Sequence, residues 1–177
     1  MSATIRFRGM VAGVAAAVSL TLMGGCKLVE RTDRGPAQGA VRQTAAPYRQ
    51  IVQPEGVARL PVFSSAVRTG DLLFLSGQIG TKPGVSPPEV VEGGIEPETR
   101  QAMENIKTVL AAEGLDLQDL VKCTIFLADI KDYAAMNSVY ATFFPENPPA
   151  RSALAGSGLA LGAKVEIECI AAYPPGK

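Results

Sequence analysis

Histidine is absent from the 177 residues, which removes every His-based catalytic triad. Cysteine is scarce: Cys26, Cys123 and Cys169 do not approach one another at zinc-ligand spacing, so a structural zinc site is excluded as well. An Asp/Glu site for a hard cation stays formally open, but no metal ligand is assigned and no cofactor is expected. Charge of one sign is also missing. Seventeen Lys and Arg balance seventeen Asp and Glu, giving no bulk bias toward nucleic acid or anionic lipid. Any catalysis must therefore use arginine, carboxylates, hydroxyls, amides or the backbone.

What is present is 47% apolar composition, enough for one core with an appendage. The appendage comes first. Arg6 and Arg8, the run MVAGVAAAVSLTLM and a Gly-Gly before Cys26 form the three parts of an export signal over residues 1–25. The apolar run falls short of the roughly 20 residues of a membrane span, so cleavage is expected rather than anchoring by a helix. MGGC resembles a bacterial lipobox, which implies that Cys26 becomes the first mature residue and carries lipid. Acyl chains would then hold the protein to a membrane, each buried CH₂ contributing about 0.8 kcal/mol. Lys27 stands where an inner-membrane retention signal has aspartate, which points to the periplasm and the outer membrane. Export without lipid, or a cytoplasmic chain with an upstream start codon, are the alternatives. Residues 26–49, rich in Gly, Pro, Ala and Gln, read as lipidated cysteine and flexible tether, and residues 50–177 as the folded domain.

Within that domain, apolar runs at 62–67 and 72–77 flank RTGD and predict a hairpin. Residues 78–96, with Pro83, Pro87, Pro88, Gly93 and Gly94, predict a long loop. Ala102, Ile106, Val109 and Leu110, with Met103 beside them, predict a helix over 97–113 ending near Gly114. DLVKCTIFLAD predicts a strand with Val121, Cys123, Ile125 and Leu127 on one face. Asp129 or Asp132 caps a second helix with Tyr133, Met136, Tyr140 and Phe143 on one side, ended by Pro145. Residues 150–155 and 164–172 are the last strands. The order gives a two-layer α+β sandwich with two helices on one sheet face. The opposite face, offered by Val62, Phe74, Phe126 and Ile170, is then left for subunit association.

Several polar residues sit at strand ends and turns. Arg151 in PPARS follows prolines that hold the chain extended. It is either an exposed arginine balancing an acid or a two-pronged clamp for a carboxylate. Glu166 shares a strand face with Glu168, marking either a wet surface or an acceptor that polarises water. Ser76 in LSGQ reads as a packing residue and, lacking a basic partner, as a poor nucleophile. Asn137 either braces a loop or holds a ligand, and Phe63 is core or pocket wall. Cys123 and Cys169 point inward and read as free buried thiols, with a disulfide open to them if their strands adjoin.

In this order and spacing, PVFSSAVRTGDLLFLSGQIG, the run from VEGGIEPETR through YATFF, PPARSAL and KVEIECIA closely resemble the RidA (YjgF/YER057c/UK114) family of imine and enamine deaminases. The resemblance implies a chorismate-mutase-like fold with a mixed sheet, and a homotrimer with ligand clefts between subunits. It implies that Arg151 binds the carboxylate of a 2-imino acid such as 2-iminopropanoate or 2-iminobutanoate. Glu166 would orient the attacking water, and the backbone carbonyl of residue 153 would help to position it. Phe63, Ser76 and Asn137 match other substrate-binding cleft positions. Two residues depart from the family pattern: Ala153 replaces a frequent cysteine and Phe63 replaces a tyrosine. These changes fit either a shifted substrate preference or an envelope-anchored member that binds small carboxylates without turnover. A surface lipoprotein with a vestigial cleft is the third alternative. RNA cleavage, associated with some relatives, suits neither export nor the balanced charge, and no nucleic-acid partner is expected.

Overall fold

Two features decide how the sheet is built: apolar residues that alternate along the strands in the sequence, and two single-residue shifts of that alternation that appear in the pairing. The computed structural model describes residues 48–58 and 60–176, so the expected leader, Cys26 and nearly all of the tether lie outside the described residues. The strands are β1 (Gln50–Val52), β2 (Ala66–Thr69), β3 (Leu72–Leu75), β4 (Gln78–Ile79), β5 (Leu120–Leu127), β6 (Ala150–Ala155) and β7 (Val165–Ala172). The helices are α1 (Ile95–Ala111) and α2 (Tyr133–Ala141). The sheet runs β1-β2-β3-β7-β5-β6, with β4 also paired to β7. Among the described residues only β5 and β6 pair in parallel. They can do so because α2 lies between them in the chain and carries it back across the sheet.

The hairpin forms where RTGD predicts it. Thr69 pairs with Leu72 across Gly70 and Asp71, and Gly70 takes φ +55°, which a two-residue hairpin turn requires and glycine adopts freely. Its first strand is displaced from the expected 62–67 to 66–69. Residues 64 and 65 instead accept hydrogen bonds from Ser76: its hydroxyl donates to the Ser64 carbonyl at 2.7 Å and its amide to the Ser65 carbonyl at 3.0 Å. The expected loop 78–96 likewise begins as strand β4. Thr81 then bridges to Val90, and the buried Asn105 amide on α1 donates to the carbonyls of Ile79 and Thr81.

The predicted face of α1 is correct: Ala102, Met103, Ile106, Val109 and Leu110 are fully buried against the sheet. Truncating one of the larger of these would cost about 2–5 kcal/mol. At its first turn, the Glu98 carboxylate accepts the Lys164 backbone N–H at 2.6 Å, joining the helix to the start of β7.

Val121 does not join the buried face. Leu120 pairs with Ala171 and Lys122 with Ile170, so β5 carries one extra residue there. This bulge turns Val121 outward, 46% exposed, and gives its expected place to Leu120. On α2 the expected stripe also changes. Tyr133 is 39% exposed and Phe143 only half-buried. The helix ends at Ala141, after which helical spacing no longer governs, and Phe144 packs beside Tyr140 at 4.9 Å between ring centroids. Asp129 caps a short turn before α2 by accepting the Lys131 N–H, whereas Asp132 makes no side-chain cap.

Cys123 and Cys169 are not free thiols. β5 and β7 are neighbours, the two residues stand directly opposite with Cα atoms 4.1 Å apart, and they form a disulfide. The sequence alone could not show that these strands adjoin.

Candidate active site

Strand register decides which expected site residues can meet. Residues directly opposite one another across a ladder point to the same face. Arg151 on β6 pairs with Cys123, which pairs with Cys169, and both cysteines are buried on the helix side. Arg151 therefore points toward α2, and Ala153, two residues on, follows it. Glu166 pairs with Phe126 and Ile79 and alternates with the buried Val165 and Ile167. It points to the open face. Within one chain the structure does not bring Arg151 and Glu166 together.

Glu166 stands at a cavity of about 450 Å³ with Phe63, Ser76 and Gly77. The cavity exists because the strand formed by β3 and β4 bulges. From Phe74 to Gln78 the chain advances four residues while β7 runs three, from Ile170 to Ile167. Ser76 and Gly77 occupy the irregular stretch. Gly77 lies so close to Glu166 that any Cβ there would overlap the carboxylate. Ser76 braces the 64–65 turn through the bonds described above, so its hydroxyl has a structural partner. Burial pushes the Glu166 carboxyl above the usual carboxylate range, and the negative charge of Glu168 adds to the effect. Among the described residues Glu166 has neither an ion pair nor a hydrogen-bond partner.

Arg151 stands at a second hollow of about 310 Å³, lined also by Asn137, Tyr140, Ala141, Phe144, Pro148 and Pro149. Its Nη2 donates to the Tyr133 hydroxyl at 3.0 Å, and its guanidinium carbon lies 4.9 Å from the Tyr140 ring centre. No acid forms an ion pair with it among the described residues. The Asn137 amide is half-buried and makes no hydrogen bond among the described residues. Tyr140 buries its hydroxyl without a partner, and desolvation pushes the phenol up to about 12, with Arg151 acting in the opposite direction.

The site residues thus fall into two sets, Phe63, Ser76 and Glu166 on one side and Asn137 and Arg151 on the other. Sequence reasoning missed Gly77, Gln78, Leu60 and Leu161 beside Glu166, and the part played by Tyr133 and Tyr140 around Arg151. Helical spacing put both tyrosines in the core stripe, and only their separation of seven residues hinted at a shared face of α2. No group of three or more metal-ligating side chains occurs among the described residues.

A family model described as Endoribonuclease L-PSP matches residues 54–173. Reactive Intermediate Deaminase A, chloroplastic, of Arabidopsis thaliana is 36% identical over 160 residues, covering 89% of this chain and 84% of that protein. The 2-iminobutanoate/2-iminopropanoate deaminase of Rattus norvegicus is 40% identical over 118 residues, covering 67% of this chain and 85% of the rat protein. Among solved structures, E. coli TdcF with bound serine superposes with a TM-score of 0.65 at 30% identity, covering 71% of this chain and 99% of TdcF.

Proposed function

Because the chain belongs to the Endoribonuclease L-PSP family, the RidA/YjgF group that its motifs resemble, we propose that it hydrolyses small 2-imino acids to 2-oxo acids and ammonia. The work takes place in clefts between the subunits of a chorismate-mutase-like homotrimer. One observation carries this: two opposite, uncompensated charges, Arg151 and Glu166, stand on opposite sheet faces of one chain, each at its own hollow. A cleft that joins one subunit's Glu166 to a neighbour's Arg151 unites them. Phe74, Val121 and Leu154, apolar and partly exposed, supply a surface for that association. The names of the Arabidopsis and rat relatives support the reaction.

In that cleft, Arg151 holds the substrate carboxylate through two parallel N–H donors, and the Asn137 amide adds a third contact. The imine carbon then lies beside water held by Glu166 and by the Ala153 carbonyl. Water oxygen bonds to the imine carbon as the C=N π pair moves to nitrogen, and Glu166 takes a water proton and passes it to that nitrogen. The C–N bond breaks, ammonia leaves, and the carbinol oxygen becomes the carbonyl as it loses its proton. A protonated imine is already electrophilic, so holding the two reactants together supplies most of the acceleration without a covalent nucleophile. No RNA chemistry is proposed, despite the family's description, because the balanced charge of the chain offers no basic track.

We further propose export through residues 1–25, lipid on Cys26 and a periplasmic position at the outer membrane. The Cys123–Cys169 disulfide is in keeping with an oxidising compartment. The mass of protein extracted from membranes checks the lipid.

The test of activity is ammonia release from freshly generated 2-iminopropanoate. The mature protein accelerates it, and Arg151→Ala lowers kcat/KM by more than about a hundredfold, as for loss of a buried charge-assisted contact. Equal rates for both proteins overturn the proposal. Phe63 and Ala153, which lack the family's hydroxyl and thiol, favour a second function, binding of small carboxylates without turnover. Saturable binding of 2-oxo acids with no ammonia release would establish it.

A further inference from the structure

The cavity beside Glu166 differs in character from its floor to its rim. At the floor, the polar groups other than Glu166 already have partners. Ser76 donates to the Ser64 carbonyl at 2.7 Å, the Gln78 amide donates to the Ser76 carbonyl at 3.1 Å, and the Thr81 hydroxyl accepts from Asn105 at 3.1 Å. The rim is hydrocarbon: Ala58, Leu60, Phe63, Ile79, Pro87 and Leu161. Three of these are large apolar side chains that the core leaves out, with Leu60 41%, Phe63 42% and Leu161 61% exposed. They come from separate segments of the chain and converge on one hollow, which single stray surface residues do not do. Leu161 reaches it from a left-handed backbone position, φ +56°, that bulky residues seldom adopt.

From this lining we infer that the preferred substrates carry a branched or otherwise extended apolar side chain, and that the methyl and ethyl 2-imino acids are the poorer ones. The inference rests on the deaminase proposal, since Arg151 fixes the carboxylate and Glu166 the water, leaving the side chain to the rim. The cavity, about 450 Å³, falls within the usual range for small-molecule sites, roughly 300–1,000 Å³. A methyl group would leave most of the rim in water. Each methylene moved from water onto such a surface is worth about fourfold in kcat/KM. A polar side chain of the same size gains little, because the hydrocarbon rim returns no hydrogen bond for the water it gives up.

The test uses imines generated in place by an amino-acid oxidase from alanine, leucine and asparagine. The leucine and asparagine products have nearly equal size and opposite polarity. The leucine-derived imine is expected to show kcat/KM about fiftyfold above the alanine-derived one, and the asparagine-derived imine no gain. Leu161→Asn, which suits the left-handed backbone, lowers the leucine-to-alanine ratio severalfold. That ratio does not depend on how much of the variant folds. Turnover of the alanine-derived imine with a leucine-to-alanine ratio of one or less overturns the inference and leaves the deaminase proposal standing. If no imine is turned over, calorimetric titration with pyruvate and 4-methyl-2-oxopentanoate reads the same ratio. Tighter binding of the latter supports the inference while the deaminase proposal falls, and equal or absent binding overturns both.

Discussion

The hydroxyl of Tyr133 accepts a hydrogen bond from Arg151 Nη2 at 3.0 Å, so the guanidinium is directed from α2 before any ligand arrives. The Tyr140 ring flanks it from the same helix. An arginine held this way gives up less side-chain freedom when it grips a carboxylate.

Tyr133→Phe removes that acceptor and keeps the ring. KM for a 2-imino acid should rise about tenfold while kcat changes less than about twofold, since a hydrogen bond to a charged group contributes about 1.5 kcal/mol or somewhat more. Steady-state kinetics beside a melting curve check this. A large fall in Tm would assign Tyr133 to the core instead.

Gly77→Ala sets a methyl group where the Glu166 carboxylate now lies. The carboxylate is the far end of a flexible side chain and can swing away, so stability should change by less than about 1 kcal/mol. Activity should fall more than about tenfold, because a displaced acceptor no longer holds the water. Unchanged kcat/KM would show that Glu166 does not act from this position.

The raised pKa of Glu166 sets the acidic limb of activity. Since burial comes first among its causes and Glu168 second, kcat/KM should rise with pH through a value above the usual carboxylate range. Glu168→Gln should move that limb to lower pH. Folding has the opposite sense. The folded chain holds this proton more tightly than the unfolded chain, so the associated stability is complete below the unfolded pKa and is lost as pH rises through the folded one. Glu166→Gln should therefore raise Tm at neutral pH and lose that advantage in acid. A pH-independent difference in Tm would show that the variant acts by other means.

The disulfide between Cys123 and Cys169 closes a sequence separation of 46 residues. Replacing both with alanine should cost about 2–4 kcal/mol in urea unfolding. Reductant should lower the midpoint of the wild-type chain and leave that of the double variant unchanged. An insensitive wild type would mean that the two sulfurs are not joined.

Helix α1 was legible because its buried positions repeat: Ala102, Ile106, Val109 and Leu110 face the sheet as their spacing predicts, whereas on α2 only Met136 and Tyr140 of the expected stripe are buried. The strands were legible as segments, but the side of the sheet each residue faces was not. Val121 obeys strict alternation in the sequence and breaks it in the fold, since an extra residue opposite β7 leaves no mark in local composition. Strand order was hidden for a similar reason. Cys123 and Cys169 meet only because β7 inserts between β3 and β5, and no period within either segment encodes a neighbour. Arg151, Glu166, Ser76 and Asn137 stood out by residue type beside turns. Their separation into two hollows on opposite faces followed from register alone.

The extra residue near Ser76 and Gly77 works as a frame shift in the alternation of sides. Leu73 and Leu75 face inward, and beyond the shift it is Gln78 that is buried while Ile79 looks outward beside Glu166. Were the same residues to pair one for one, without the shift, the parity would reverse: Gln78 would stand opposite Glu166 with its amide turned out into the hollow, and Ile79 opposite Val165, turned into the core. The greasy character of that hollow is thus written in where one strand miscounts against its neighbour, as much as in which side chains the strand carries.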